Sequence, residues 1–180
     1  SINRMRELIT DKRNFGLVMR AGLNRYDYAL EAATVTVMAE DISNCFNLGA
    51  LIKGTNLQGY EANPVGINQF AQLLQTYGIG SDAALAMSSA AADWQDSDTK
   101  PLPLGAESNH YTDQELGYRT PNAPMRSTTE MRLVRDFTPA LLAQLDELLC
   151  VSDGTAKLRL NVTTLQPQHA PLLSAILGGT

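Results

Sequence analysis

The stretch DWQDSDTKPLPLGAESNHYTDQELGYRTPN, residues 93–122, decides how the rest of this chain is interpreted. It opens with three carboxylates in quick succession, Asp93, Asp96 and Asp98. A fourth, Glu107, follows a segment that contains two prolines and a glycine, which predict a loop. Like charges this close repel one another, so each carboxylate must stay solvated or bind a cation.

This acidic loop carries the donor atoms that a hard metal ion requires. Calcium takes about 6–8 oxygen ligands at roughly 2.3–2.6 Å and tolerates irregular geometry. Four side chains would be available, those of Asp93, Asp96, Asp98 and Glu107, with backbone carbonyls or water completing the shell. The loop has no Cys and no paired His, which disfavours zinc. The alternative is a solvated acidic loop that binds no metal.

The spacing excludes an EF-hand. Counting from Asp96 as position 1 places Asp98 at position 3 and Glu107 at position 12, as that motif requires. However, position 5 is Lys100, and position 6, where the sharp turn needs Gly, is Pro101. Any calcium site here therefore has another loop geometry.

Length and composition describe a globular protein of ordinary size. The chain has 180 residues, of which 44% are hydrophobic, enough for one domain or for a domain with a second lobe. Fourteen basic and 19 acidic residues give a net charge of −5, which argues against nucleic acid or an anionic membrane surface as a partner. No stretch approaches the roughly 20 apolar residues of a membrane span.

Helical signals dominate the middle of the chain. Asn63-Pro64 predicts a helix start, Gly78-Ile79-Gly80 a turn, and residues 81–94 a second helix. Two helices joined by a Gly-x-Gly turn also resemble a helix-hairpin-helix DNA-binding motif. Asp82 follows the turn where that motif has Lys or Arg, so a helical hairpin that serves packing is favoured over nucleic-acid binding.

The remaining pattern predicts an α+β fold. Apolar residues at helical spacing indicate a helix over residues 1–22, and further helices begin near Ser127, Thr138 and Pro171. Alternation predicts strands over residues 34–37 and 158–162. If these distant strands close one sheet, the helices between them form an insertion.

No catalytic constellation is recognisable. The two histidines, His110 and His169, lie in no known motif, and the chain has no Gly-x-Ser-x-Gly, Walker or His-Glu-x-x-His sequence. A two-carboxylate hydrolase would need a sugar cleft lined by aromatic side chains, and Trp94 is interpreted as a core residue or loop anchor instead. The chain is therefore predicted not to be an enzyme.

A series of motifs gives a more specific indication. In order they are Asp93-Trp94-x-Asp96-x-Asp98-x-x-Pro101, Gly105-Ala106-Glu107, Tyr111, Pro121-Asn122-Ala123-Pro124-Met125, and Ser127 with Glu130 and Val134. Upstream lies DISNCFNLGAL, residues 41–51, and downstream LNVTT, residues 160–164. This series resembles the K-type minor pseudopilin of bacterial type II secretion systems.

The resemblance implies a fold and a location. The expected fold is a pilin-like N-terminal helix packed on a small antiparallel sheet, with a large inserted α-helical domain. Residues 1–44 and 151–180 would form the pilin-like core, and residues 45–150 the insertion, with its calcium loop at 93–122. An apolar helix absent from this sequence would anchor the protein in the inner membrane of a Gram-negative bacterium, with the globular part in the periplasm.

The resemblance also implies a function. The protein would be a structural subunit at the tip of the secretion pseudopilus, in contact with the I-type and J-type minor pseudopilins and with the major pseudopilin polymer. It would bind no nucleic acid and would meet the membrane only through the missing helix. Calcium would be held by a set of five residues, Asp93, Asp96, Asp98, Glu107 and Asn122. The alternative is a free-standing secreted calcium-binding module.

The two cysteines, Cys45 and Cys150, are either a disulfide or two buried thiols, and the residues alone leave both open. Resemblance to a family exposed to the oxidising periplasm favours the disulfide. Such a bridge would close a loop of about a hundred residues, for which the chain-entropy model gives about 4.7 kcal/mol as an upper figure.

Overall fold

The computed structural model of the chain describes residues 25–29, 34–38, 44–113, 117–152 and 154–178. Two compact units can be separated. Among the described residues, the smaller unit contains 25–29, 34–38 and 161–165, and the larger contains the remainder of 44–178. The helix predicted over residues 1–22 lies outside the described residues. The predicted α+β class is confirmed.

The smaller unit contains an antiparallel strand pair. Strand β1, Arg25–Ala29, pairs with β2, Thr34–Met38, and Arg25 lies opposite Met38. β2 confirms the strand that the alternation of residues 34–37 predicted. Its partner strand, β1, was not predicted from the sequence.

The prediction of a strand over residues 158–162 is wrong. These residues have no regular secondary structure in the described chain. The reason lies at Asn161, whose Oδ1 accepts hydrogen bonds from the backbone N–H of Thr163 at 3.1 Å and from its hydroxyl at 2.7 Å. The N–H of Thr164 also donates to the Asn161 carbonyl, at 3.1 Å. Asn competes in this way with ladder hydrogen bonds, so the chain turns although its side chains alternate.

The larger unit is mainly helical. Its α-helices are α1 (Pro64–Gln75), α2 (Ser81–Asp93), α3 (Ser108–Thr112), α4 (Pro139–Leu145) and α5 (Ala170–Leu177). Short 3-10 helices cover Leu48–Leu51, Thr128–Leu133, Asp146–Leu148 and Pro167–His169. Two short sheets complete it: β3 (Phe46–Asn47) pairs with β6 (Leu149–Cys150) in parallel, and β4 (Ile52–Thr55) with β5 (Gly59–Ala62) antiparallel.

The α1–α2 hairpin forms the centre of the core. Phe70 of α1 stacks on Phe46 and on Phe137, with ring centroids 4.8 and 6.1 Å apart. Gly66, on the first turn of α1, permits close approach to the first 3-10 helix, since a Cβ there would lie 1.9 Å from the Ala50 carbonyl oxygen. The predicted turn between the helices is confirmed, and α2 delivers its last residue, Asp93, into the acidic loop.

A disulfide joins the beginning of the larger unit to strand β6. Cys45 and Cys150 are bonded, with Cα atoms 5.8 Å apart and a sequence separation of 105. Beside them Phe46 lies opposite Leu149 in the β3–β6 pair. The pairing implied by the resemblance is confirmed, and the bridge joins the two ends of the segment 45–150.

The last helix, α5, packs against α1. It ends at Gly178, whose φ of 83° makes a left-handed cap. The grouping of residues 1–44 with 151–180 in one pilin-like core stays a prediction. Among the described helices, none is long and apolar enough to cross a membrane.

Candidate metal centre

Asp93 is a buried residue that binds the backbone of the acidic loop. It is fully buried at the end of α2, and both of its carboxylate oxygens accept from the Leu102 backbone N–H, at 3.1 and 3.2 Å. Gly105 makes room for this carboxylate, because a Cβ there would lie 2.0 Å from Asp93 Oδ2. The Asp93 oxygens are thus engaged with the loop backbone, and Asp93 as a metal ligand stays a prediction.

Three of the predicted ligands converge. One carboxylate oxygen each from Asp96, Asp98 and Glu107 lies within 4.8 Å of the others. Two oxygens on opposite sides of a calcium ion, each at about 2.4 Å, would be separated by about this distance. Asp96 and Glu107 are almost completely buried, at 3% and 4% exposure, whereas Asp98 is exposed. The cluster therefore has a buried floor and one side open to solvent.

Glu107 is held in a fixed orientation by its surroundings. Its Oε2 accepts from the Ser108 backbone N–H and from the Thr120 hydroxyl, both at 3.1 Å. Its Oε1 is buried and has no hydrogen-bond partner within the described part of the chain. One oxygen thus positions the side chain, and the other remains available for a ligand.

Asn122, at the far end of the loop, is hydrogen-bonded to the backbone of one member of the cluster, Asp98. Its backbone adopts the left-handed conformation, with φ of 48°, which Asn tolerates better than most residues. Its Nδ2 donates to the backbone carbonyl of Asp98, which fixes the amide so that Oδ1 is the remaining polar atom. Oδ1 is buried and unpartnered among the described residues. Asn122 as a metal ligand stays a prediction.

The electrostatics of the site favour a bound cation. Burial is the main cause that raises the pKa of Asp96 to about 7, and the negative charges of neighbouring carboxylates add to it. Burial likewise raises the pKa of Asp93 to about 6, against the opposing effect of the Leu102 N–H. Burial also raises the pKa of Glu107. The surroundings thus disfavour the charged form of all three carboxyl groups, and a bound cation would favour it.

The donor set fits calcium. Asp96 Oδ1, Glu107 Oε1 and Asn122 Oδ1 are buried oxygen atoms that lack a donor among the described residues. A buried acceptor without a partner is expensive, so three together point to a ligand that supplies positive charge. All are hard oxygen donors, which suit calcium, and no Cys or paired His is among them. Such an ion would neutralise the carboxylates and hold both ends of the loop.

Several supporting residues were not predicted from the sequence. Gln95 is fully buried, donates to the carbonyls of Leu48 and Ala91, and accepts from the Met125 N–H. Thr120 holds Glu107, as described. For Gln95 the only signal of a structural role was its position, as a polar residue at the end of an apolar helix. The sequence contains no signal for the role of Thr120.

Arg135 was also missed. Its guanidinium donates to the carbonyl oxygens of Leu104 and Gly105, the latter at 2.8 Å. Leu104 has a positive φ of 67°, which is unfavourable for a residue with a Cβ. Arg135 thus stabilises a turn with an unfavourable backbone conformation, which lies just upstream of Glu107. Nothing in the sequence linked a position 30 residues downstream to this turn.

An aromatic cluster supports the other side of the loop. Trp94 is 3% exposed and contacts Tyr111 and Tyr118 edge-on, with ring centroids 5.5 and 6.1 Å apart. Its Nε1 donates to Glu130 Oε2 at 3.3 Å. The interpretation of Trp94 as a core residue and loop anchor is confirmed, which leaves it unavailable for stacking on a sugar.

Comparison with known proteins agrees with the motif series. Residues 44–154 match the family model for the type II secretion system (T2SS) protein K. Type II secretion system protein K of Klebsiella pneumoniae is 38% identical over 80% of this chain and 42% of its own length. The Aeromonas hydrophila protein K is 31% identical over 94% of this chain and 54% of its own.

The fold of this chain is similar to that of a chain in a solved structure. A chain of the GspK-GspI-GspJ complex from the type 2 secretion system of enterotoxigenic Escherichia coli superposes with a TM-score of 0.74. The match has 23% identity and covers 86% of this chain and 54% of that chain. This chain spans about half the length of the curated relatives described above. The resemblance drawn from the motifs is confirmed, and the chain belongs to the type II secretion system protein K family.

Proposed function

We propose that the protein is a non-enzymatic minor pseudopilin, a structural subunit at the tip of the type II secretion pseudopilus that is needed for protein export across the outer membrane. Family membership supports this role. The solved complex with a similar fold contains GspI and GspJ, which supports I-type and J-type minor pseudopilins as partners. The major pseudopilin polymer would lie below them. An inner-membrane anchor with a periplasmic globular part belongs to the same proposal.

Calcium is the proposed ligand of the acidic cluster. The observation that supports it is that Asp96, Glu107 and Asn122 each have a buried oxygen without a hydrogen-bond partner in the described part of the chain. Asp98 would add a fourth ligand from the open side. The ion would act structurally, because it binds the folded loop and not the unfolded chain, and would stabilise by about 2.7 kcal/mol at a concentration of 100 Kd.

Thermal unfolding tests the calcium role. With the metal removed by EDTA and then restored at a calcium concentration near 100 Kd, the Tm should rise by about 5–10 °C. Magnesium should not replace calcium, because it requires a smaller and more regular octahedral shell. Identical unfolding curves in EDTA and calcium would contradict the metal assignment.

Binding to the other minor pseudopilins tests the assembly role. The chain should co-purify with I-type and J-type minor pseudopilins when the three are mixed, and size-exclusion chromatography with light scattering would give the mass of the complex. A chain that binds calcium and remains monomeric beside both partners would instead be a free-standing calcium-binding module. The two measurements therefore separate the metal role from the assembly role.

A further inference from the structure

Ser97 lies between two residues of the metal cluster. Its neighbours in the chain are Asp96 and Asp98, whose carboxylate oxygens converge with that of Glu107. The Ser97 side chain is exposed, so the position is not explained by burial in the core. Any ion that fixes both neighbouring residues also fixes the backbone at Ser97.

Ser97 is bonded to a different part of the larger unit, the β4–β5 hairpin. Its backbone N–H donates to the Tyr60 carbonyl oxygen at 2.9 Å. In return, the Tyr60 N–H donates to Ser97 Oγ at 2.8 Å. One residue of the metal loop therefore satisfies both backbone groups of Tyr60 in β5.

In the described part of the chain, the other hydrogen bonds of the hairpin's outer part are local, from the Gln58 N–H to Thr55 and from the Tyr60 hydroxyl to Asn56 Oδ1. Residues 53–58 are exposed without exception. Four residue pairs join its strands, and the ion pair between Lys53 and Glu61, 3.5 Å apart, is exposed on both sides. Such surface pairs contribute little, and a two-stranded hairpin alone is marginally stable in water. The paired hydrogen bonds to Ser97 are therefore a substantial part of what can hold the hairpin.

We infer that cation binding at Asp96, Asp98 and Glu107 fixes the β4–β5 hairpin through Ser97, so that the ordering of this exposed hairpin depends on calcium. This inference rests on the proposed calcium role. Without the ion, repulsion between the carboxylates disfavours the loop conformation that presents Ser97 to Tyr60. The coupling is reciprocal: the factor by which bound calcium favours the ordered hairpin is the factor by which the ordered hairpin favours calcium binding.

Hydrogen exchange of the backbone amides in residues 52–62 measures the coupling in the 180-residue chain. Exchange should slow about tenfold when calcium chloride replaces EDTA at constant pH. Ser97→Ala removes the acceptor for the Tyr60 N–H and should abolish most of this change. The calcium affinity of Ser97→Ala, measured by calorimetry, should fall by up to the factor that calcium adds to hairpin protection in the wild type. Thr99→Ala, which removes an exposed hydroxyl two residues further along the loop, is the matched control and should behave as the wild type.

The outcomes separate this inference from the proposed function. Calcium binding by the wild type with unchanged exchange in residues 52–62 would overturn the coupling and leave the calcium site intact. No calcium heat in the wild type would overturn both. A Ser97→Ala protein that keeps full, calcium-dependent protection would show that the ordering does not pass through Ser97. Fluorescence of Trp94, the only tryptophan, verifies that each variant is folded.

Discussion

The hydroxyl of Thr120 donates to Oε2 of Glu107 at 3.1 Å, across 13 residues of sequence. The Ser108 N–H donates to the same oxygen at the same distance. These two donors fix the carboxylate so that its other oxygen, Oε1, has no hydrogen-bond partner among the residues that the structure describes. If Glu107 binds calcium as proposed, Thr120 is a positioning residue, because its contact is with the proposed ligand and not with the ion.

Thr120→Val tests this arrangement. It keeps the shape of the side chain but removes the donor, so Glu107 loses one of the contacts that orient it. Partners of this kind affect metal affinity by about 10–100-fold. We expect the calcium Kd to increase about tenfold in a calorimetric titration. Thr155→Val, at an exposed threonine, is the control, and equal affinity in the two variants would contradict the positioning role.

Asp96→Asn should have opposite effects with and without calcium. In EDTA the substitution removes one charge from a cluster of like charges, so the Tm should rise, by about 2–4 °C for each kcal/mol gained. In calcium a strong ligand is lost, so the variant should melt below the wild type. Asp113→Asn changes an exposed carboxylate and serves as the control for net charge. A variant that melts below the wild type in EDTA would argue against repulsion in the cluster.

The metal-free protein should lose stability as pH rises. The folded-state pKa is about 6 for Asp93 and about 7 for Asp96, above the value of about 3.9 for an unperturbed Asp. Between about pH 4 and pH 7 the folded state thus binds more protons than the unfolded state, and these groups lower the free energy of unfolding as pH increases. Urea unfolding in EDTA across this range measures the effect.

Two comparisons verify the origin of this pH dependence. The difference between the wild type and Asp96→Asn isolates the contribution of Asp96, and it should shrink at low pH, where the carboxyl is protonated. Calcium competes with protons for the same oxygens, so its stabilisation should grow with pH through this window. A difference between the two proteins that stays constant from pH 4 to pH 7 would contradict the raised pKa of Asp96.

The features that could be predicted from the sequence are those that depend on residues close together in the chain. Helix ends depend on a few adjacent residues: Pro64 starts α1, Thr138 accepts from the Leu141 N–H at the start of α4, and Gly178 ends α5. The acidic loop was found for the same reason, because its carboxylates are close in sequence. Local signals failed at residues 158–162, since a strand also requires a partner strand and alternation does not supply one.

The supporting residues of the site could not be predicted, because their contacts span the fold. Arg135 contacts a turn 30 residues upstream, and Gln95 joins the Leu48 carbonyl to the Met125 N–H. Asp93 was predicted as a ligand from its spacing, and only the fold shows that its oxygens accept from the Leu102 N–H. Residue type and spacing therefore indicate candidate ligands. They do not show which of these side chains instead bind the backbone of the loop, as Asp93 does.

Loss of the Cys45–Cys150 disulfide should destabilise the larger unit. Removal of a native disulfide from a small secreted domain costs about 2–5 kcal/mol, and the long loop closed here favours the upper part of that range. The double variant Cys45→Ser/Cys150→Ser should show a correspondingly lower urea midpoint. Dithiothreitol should lower the midpoint of the wild type and leave that of the double variant unchanged. A wild type indifferent to the reductant would contradict a stabilising role.

Gly105→Ala should disrupt the acidic loop. The added Cβ would lie 2.0 Å from Asp93 Oδ2 and 3.0 Å from the Leu102 backbone nitrogen, so the two hydrogen-bonded groups would have to separate. Crowding of this kind in a packed interior costs about 1–3 kcal/mol. Because Glu107 follows two residues later, calcium affinity should fall together with stability.

Gly80→Ala is the matched control for Gly105→Ala. A Cβ at Gly80 meets no atom within 4 Å, and its φ of −60° suits any L-residue. The reduced entropy of the unfolded chain and the weaker preference for Ala at a helix N-cap oppose each other, so we expect a change within about 0.5 kcal/mol. Urea unfolding and calcium titration of both variants give the comparison. If Gly105→Ala matched Gly80→Ala in both measurements, Asp93 would not depend on the space that Gly105 leaves.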